Sequence, residues 1–201
     1  TFFVKDYLGL SAEFLAALGF WAGIPWALKM PLGHIVDLIW RFKSFMVVLG
    51  AVLIASSLLI MIALLSDRVA MQAIMPVESW YILSVLLAPI GYVVQDVVAD
   101  AMTVEAVPRY DENDQPVSAE QSKLMHITMQ TLGRVAIIGG GISVALLNVY
   151  LFNDVGSMPD AQKHATYIHI YQLALLIPFV SILGIALAAW LHSHNIGALI
   201  K

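Results

Sequence analysis

The sequence has no cysteine and few charged residues, and each scarcity excludes a class of protein. Without cysteine there is no disulfide framework, thiolate nucleophile or Cys-ligated metal. Charged residues make up 12% of the 201 residues, whereas a soluble domain contains about 25%. The net charge of −4 and the lack of a Lys/Arg cluster argue against nucleic acid as a partner. Hydrophobic residues make up 60% of the chain, which excludes disorder and predicts an integral membrane protein.

Long apolar runs predict an all-α integral membrane protein with a bundle of about five transmembrane helices, because about 20 mostly apolar residues cross a bilayer core. The predicted helices cover residues 12–34, 44–66, 79–106, 119–152 and 165–192. A polar loop at 108–122 lies between two of them, and the distribution of Lys and Arg places it in the cytoplasm. Since residue 1 is threonine and no signal peptide is visible, we expect residues 1–201 to be one partial domain of a longer membrane protein.

Five charged residues fall within or near the ends of the predicted helices, where charge is costly. An isolated charge at the bilayer centre costs at least about 3 kcal/mol, so such side chains normally face the protein interior and are paired. Two interpretations stay open: a substrate or ion pathway, and a set of ion pairs that only orients the helices. The residues are Lys29, Asp96, Asp100, Glu105 and Arg134.

The two aspartates of this set are four residues apart, so they share one helix face. A cation on another helix would hold one of them ionised and leave the other to take up a proton. We predict that Asp100 pairs with Arg134 and that Asp96 carries the proton. Lys29 is the second candidate for the cation.

A possible gating motif follows the first predicted helix. Gly33 and Asp37 form G-x-x-x-D, and the basic residues Arg41 and Lys43 come next. This pattern resembles the loop motif between the second and third helices of the major facilitator superfamily. The resemblance implies that Gly33 permits a close helix approach and that Arg41 and Lys43 hold a cytoplasmic gate.

A longer pattern resembles the folate–biopterin transporter family. It consists of P-W-x-x-K-x-P-x-G-x-x-x-D at residues 25–37, the preceding F-x-V-K-D-x-L-G-L-S, and the acidic stretch QDVVADAMTVE at 95–105. The resemblance implies helices two to six of a larger transporter, within the N-terminal half of a major-facilitator-type fold. It also implies symport of a small pterin- or folate-like organic anion with a proton or another ion, and we expect the bacterial inner membrane as the location.

An alternative function is open: a transporter-derived structural or assembly subunit of a larger membrane complex. No Ser/His/Asp set or metal-ligand cluster supports an enzyme, so the sequence predicts neither catalysis nor a metal or cofactor. The glycines at 133 and 139–141 lie in an apolar helix rather than after a strand, which favours close helix packing over a phosphate loop.

Overall fold

The computed structural model describes residues 6–110, 113–153 and 155–199. These residues are helical and contain no strand; an isolated bridge joins Tyr110 and Pro116 in the loop. A 3₁₀ turn covers Trp40–Phe42. The α-helices are α1 (Ala12–Ala27), α2 (Lys29–Leu38), α3 (Lys43–Ser66), α4 (Arg68–Ile74), α5 (Val77–Glu105), α6 (Ala119–Phe152), α7 (Asp160–Ala174) and α8 (Leu176–Leu199).

Four helical segments of the described chain are long and apolar enough to cross a membrane. They are Trp40–Ser66, Val77–Glu105, Ala119–Phe152 and Asp160–Leu191. Helices α1 and α2 meet the same criterion together, although the chain bends by 42° between them. The predicted all-α class with about five membrane-spanning helices is therefore confirmed at this level, while the major-facilitator arrangement stays a prediction.

Two of the predicted helices are each broken in two, and a proline explains each break. Pro31 has no N–H to donate to the carbonyl of Ala27, and its ring crowds that carbonyl. Helix α1 ends at Ala27, and α2 begins after Leu28. The same relation holds between Pro178 and Ala174, the last residue of α7. Both breaks therefore lie where a helical proline disturbs the carbonyl four residues earlier.

The predicted helix starts are confirmed at two serines. The Phe14 amide donates to Ser11 Oγ over 3.1 Å at the start of α1. At the start of α6 the Gln121 amide donates to Ser118 Oγ, and the Ser118 amide donates to the Gln121 side chain. These bonds satisfy amides that have no acceptor within the helix, so both helices begin at a defined residue.

The chain divides into two compact units within α5. The first consists of Thr1–Val98 with Tyr167–Lys201, and the second of Ala99–Thr166. In the first unit, one cluster of buried side chains joins α2, α3 and α5: Val36, Met46, Val93, Val97 and Val98. A second cluster contains Leu8, Leu10, Met61, Leu64 and Val77. In the second unit, α6 has no buried residue among those described.

Helices α3 and α5 of the first unit pack at very short range along what we call the α3–α5 seam. The seam consists of Val47, Gly50, Ile54 and Ser57 on α3 with Ser84, Gly91 and Gln95 on α5. A Cβ atom added to Gly91 would lie 2.6 Å from the carbonyl oxygen of Gly50. Gln95 Nε2 donates to the Val47 carbonyl over 3.0 Å. Small residues thus permit backbone contact, as is common between membrane helices.

Close packing at the glycines of α6 stays a prediction. Within the second unit, a Cβ atom added to Gly133, Gly139, Gly140 or Gly141 would meet no described atom within 4 Å. Within the first unit, a short helix approach occurs at Gly50 and Gly91. A glycine is required where a neighbouring helix lies too close for a side chain, and the sequence alone does not identify that position.

Two buried serines form reciprocal hydrogen bonds across the seam. Ser57 Oγ donates to the Ser84 carbonyl over 2.7 Å, and Ser84 Oγ donates to the Ser57 carbonyl over 3.0 Å. Interhelical bonds of this kind contribute about 0.6 kcal/mol each. We expect the double variant Ser57→Ala/Ser84→Ala to lose about 1 kcal/mol of unfolding free energy, measured by denaturant titration in detergent micelles.

Ser56→Ala is the matched control because Ser56 precedes Ser57 on α3 but is not fully buried. It should leave the unfolding midpoint unchanged. A loss in Ser56→Ala equal to that in the double variant would contradict the contribution assigned to the two seam serines.

Candidate functional site

A charged pair lies beside the break between α1 and α2. Lys29 is the first residue of α2, and its Nζ lies 2.5 Å from Asp96 Oδ2 on α5. The side chains are 37% and 31% exposed, respectively. Asp96 Oδ2 is enclosed and accepts no well-aligned hydrogen bond from the described residues. The contact with the lysine charge is therefore the interaction that stabilises the carboxylate.

The face of α2 that carries Lys29 continues against α5. A Cβ atom added to Gly33, one turn after Lys29, would lie 3.8 Å from Val97 Cγ1. Val36, a further turn along, is buried with Val93 and Val97. Positions i, i+4 and i+7 of α2 thus face the same helix, which holds Lys29 beside Asp96.

Two neighbouring helices, α2 and α3, bind α5 through the adjacent residues Gln95 and Asp96. Asp96 contacts Lys29 of α2, while the adjacent Gln95 donates to the Val47 carbonyl of α3. Adjacent residues of a helix project about 100° apart, so one turn of α5 serves both neighbours. The Gln95 bond was not predicted from the sequence, since an isolated glutamine in an apolar run indicates no particular partner.

The ion pair differs from the one expected. The sequence suggested Asp100 as the ion-paired carboxylate and Asp96 as the one that carries a proton. In the structure Asp96 has the cation, and the cation is Lys29. No ion pair joins Asp100 to Arg134 among residues 99–110 and 113–153. Lys29 was the second candidate for the cation, and the order of spans along the chain does not decide between Lys29 and Arg134, because it does not determine which helices are neighbours.

The other predicted pathway residues belong to the second unit. Asp100, Glu105 and Arg134 are all exposed there. The Asp100 carbonyl accepts a hydrogen bond from Thr103 Oγ1 over 2.6 Å, and Asp100 and Glu105 also make other interactions. Of the five predicted pathway residues, the structure brings together Lys29 and Asp96.

The predicted gating residues lie within α2 and directly after it. Gly33 contacts Val97 of α5 at ordinary van der Waals distance, and its gating role stays a prediction. Asp37 is exposed. The guanidinium of Arg41 lies 4.6 Å from the centre of the Phe42 ring, and Lys43 Nζ lies 4.8 Å from that of the Trp40 ring. Both cations therefore stabilise the 3₁₀ turn through aromatic contacts.

No family model, curated protein or solved structure matches this chain. Among the described residues, no group of three or more His, Asp or Glu side chains is placed to hold a metal ion. The chemistry available at the site is therefore that of a lysine, a carboxylate and the polar backbone of a helix break.

Proposed function

We propose that the protein is a secondary active transporter of the major facilitator type, similar to the folate–biopterin family. It would carry a small organic anion, of the pterin or folate class, together with a proton or another ion across the bacterial inner membrane. The observation that supports this proposal is the Lys29–Asp96 ion pair beside the break in a membrane-spanning helix. Charged residues within membrane spans are rare and usually belong to substrate or ion pathways.

The helix break supplies polar backbone next to the charges. Pro31 leaves the Ala27 carbonyl without its usual helical donor, two residues before Lys29. Discontinuous membrane helices form the substrate and ion sites of many transporters, because their unpaired backbone groups replace water around a polar ligand. The break and the ion pair therefore point to the same site.

The pair also provides a coupling mechanism. While Asp96 is ionised, it neutralises Lys29 and competes with an incoming anion. A proton that binds Asp96 removes this competing negative charge, so the ammonium group can bind the carboxylate of the substrate. When the proton leaves on the other side of the membrane, the ionised Asp96 pairs with Lys29 again and the anion dissociates. One proton and one anionic group thus cross together, and neither charge of the pair is left exposed to lipid without a partner.

Uptake into liposomes tests this proposal. The full-length protein, reconstituted in phosphatidylcholine liposomes, should accumulate labelled folate or a pterin carboxylate when a proton gradient is imposed. Liposomes without protein, and protein liposomes with a collapsed gradient, are the controls. Absence of uptake for every anion tested, by protein that remains folded, would contradict transport and favour the assembly-subunit alternative.

A further inference from the structure

The second unit contains a cavity that the proposed transport function does not use. Its volume is about 320 Å³, within the range of about 300–1,000 Å³ that is typical of small-ligand sites. It lies between the C-terminal end of α5 and the first turns of α6. The lining residues are Val104, Val107, Pro108, Arg109, Val117, Ser122 and His126.

Among the described residues that line this cavity, Arg109 is the charged one, and Ser122 and His126 can each donate or accept a hydrogen bond. Ser122 and His126 are four residues apart on α6, so they share the face that meets the cavity. Arg109 reaches it from the loop after α5. Within the described part of the chain, the side chains of Arg109 and His126 form no hydrogen bond or ion pair. Three potential donors therefore converge on one space.

The electrostatics of the cavity favour an anion. Arg109 carries a permanent charge, and its planar guanidinium matches phosphate oxygens in a bidentate manner. Ser122 lies in the first turn of α6, where the helix dipole is positive, and His126 lies one turn further along the same face. The remaining lining residues are valines and a proline.

We propose that this cavity binds a phosphate group, with Arg109 as the charged ligand and Ser122 and His126 as further donors. The cavity follows one helix that is long and apolar enough to span a membrane and precedes another, so we expect it near the lipid headgroups. Two sources supply the same chemistry there: the headgroup of an anionic phospholipid and free phosphate.

Two binding measurements distinguish the sources. In a neutral detergent, inorganic phosphate should raise the thermal unfolding midpoint above that in chloride at equal ionic strength, if free phosphate is the ligand. If a headgroup is the ligand, phosphatidic acid should remain bound when the protein is extracted from phosphatidylcholine vesicles that contain it. Arg109→Gln should weaken the effective interaction by about tenfold.

Lys123→Gln is the matched control because it removes one positive charge next to Ser122 without altering the cavity lining. It should bind as the wild type does. Arg109→Lys separates a loss of binding from a loss of folding, because it keeps the positive charge. Its affinity should lie between those of the wild type and Arg109→Gln. Binding in neither measurement, or equal losses in Arg109→Gln and Lys123→Gln, would overturn the site.

Discussion

Gly91→Ala should destabilise the protein although it adds only one methyl group. The new Cβ atom would lie 2.6 Å from the Gly50 carbonyl oxygen, 2.8 Å from Ile54 Cγ1 and 3.1 Å from Leu53 Cβ. The first of these is a backbone atom that cannot rotate away, so α3 and α5 must separate. Overpacking of this kind costs about 1–3 kcal/mol. We expect a clearly lower unfolding midpoint in detergent and a lower yield of folded protein.

Gly184→Ala provides the control for the same chemical change. Gly184 lies in α8, and an added Cβ atom would meet no described atom within 4 Å. Alanine favours a helix over glycine by about 1 kcal/mol, so this variant should be neutral or more stable. If Gly91→Ala unfolds at the same midpoint as Gly184→Ala, the helices are not in backbone contact at Gly50.

Asp96→Asn should abolish accumulation driven by a proton gradient. Asparagine cannot take up the proton, and it removes the negative charge that competes with an anion for Lys29. Counterflow exchange of labelled for unlabelled substrate should therefore persist, while net accumulation falls to the level of liposomes without protein. Lys29→Gln removes the anion-binding charge instead, so both accumulation and exchange should be lost. Parallel uptake and counterflow assays on the two variants measure this difference.

Glu78→Gln is the control on the same helix, since Glu78 is exposed in the first turn of α5. It should transport as the wild type does. The exchanged variant Lys29→Asp/Asp96→Lys should restore the yield of folded protein that either single exchange lowers, because it re-forms the ion pair. Gradient-driven accumulation by Asp96→Asn at the wild-type level would remove Asp96 from the coupling mechanism.

The spans were predictable because their signal is local. An apolar run between charges is enough to place α3, and the serine caps of α1 and α6 follow from residues three positions apart. The breaks were only partly predictable, since helices end four residues before Pro31 and Pro178 whereas Pro25 and Pro89 lie inside unbroken helices. The expected helix 12–34 was nevertheless drawn without interruption, and the structure divides it at Leu28.

The contacts between helices were not predictable, because each depends on which helix is the neighbour. Lys29 and Asp96 were both recognised as unusual, yet nothing in their spacing along the chain identifies them as partners. The sequence does not distinguish Gly50 and Gly91 from other glycines, because each is an isolated glycine within an apolar run. The role of such a residue becomes clear when the structure shows which helix lies within a few ångströms of it.

The α3–α5 seam also determines how these helices tolerate changes in length. Its α3 residues, continued by two buried neighbours of Val77, recur at alternating steps of three and four: Val47, Gly50, Ile54, Ser57, Met61 and Leu64. This average period of 3.5 is that of a left-handed coiled coil. One residue inserted after Gly50 would rotate everything beyond it by about 100°. Ser57 would then leave Ser84, whereas an insertion of one full heptad would keep the same face towards α5 but move Ser57 about 10 Å along the helix axis.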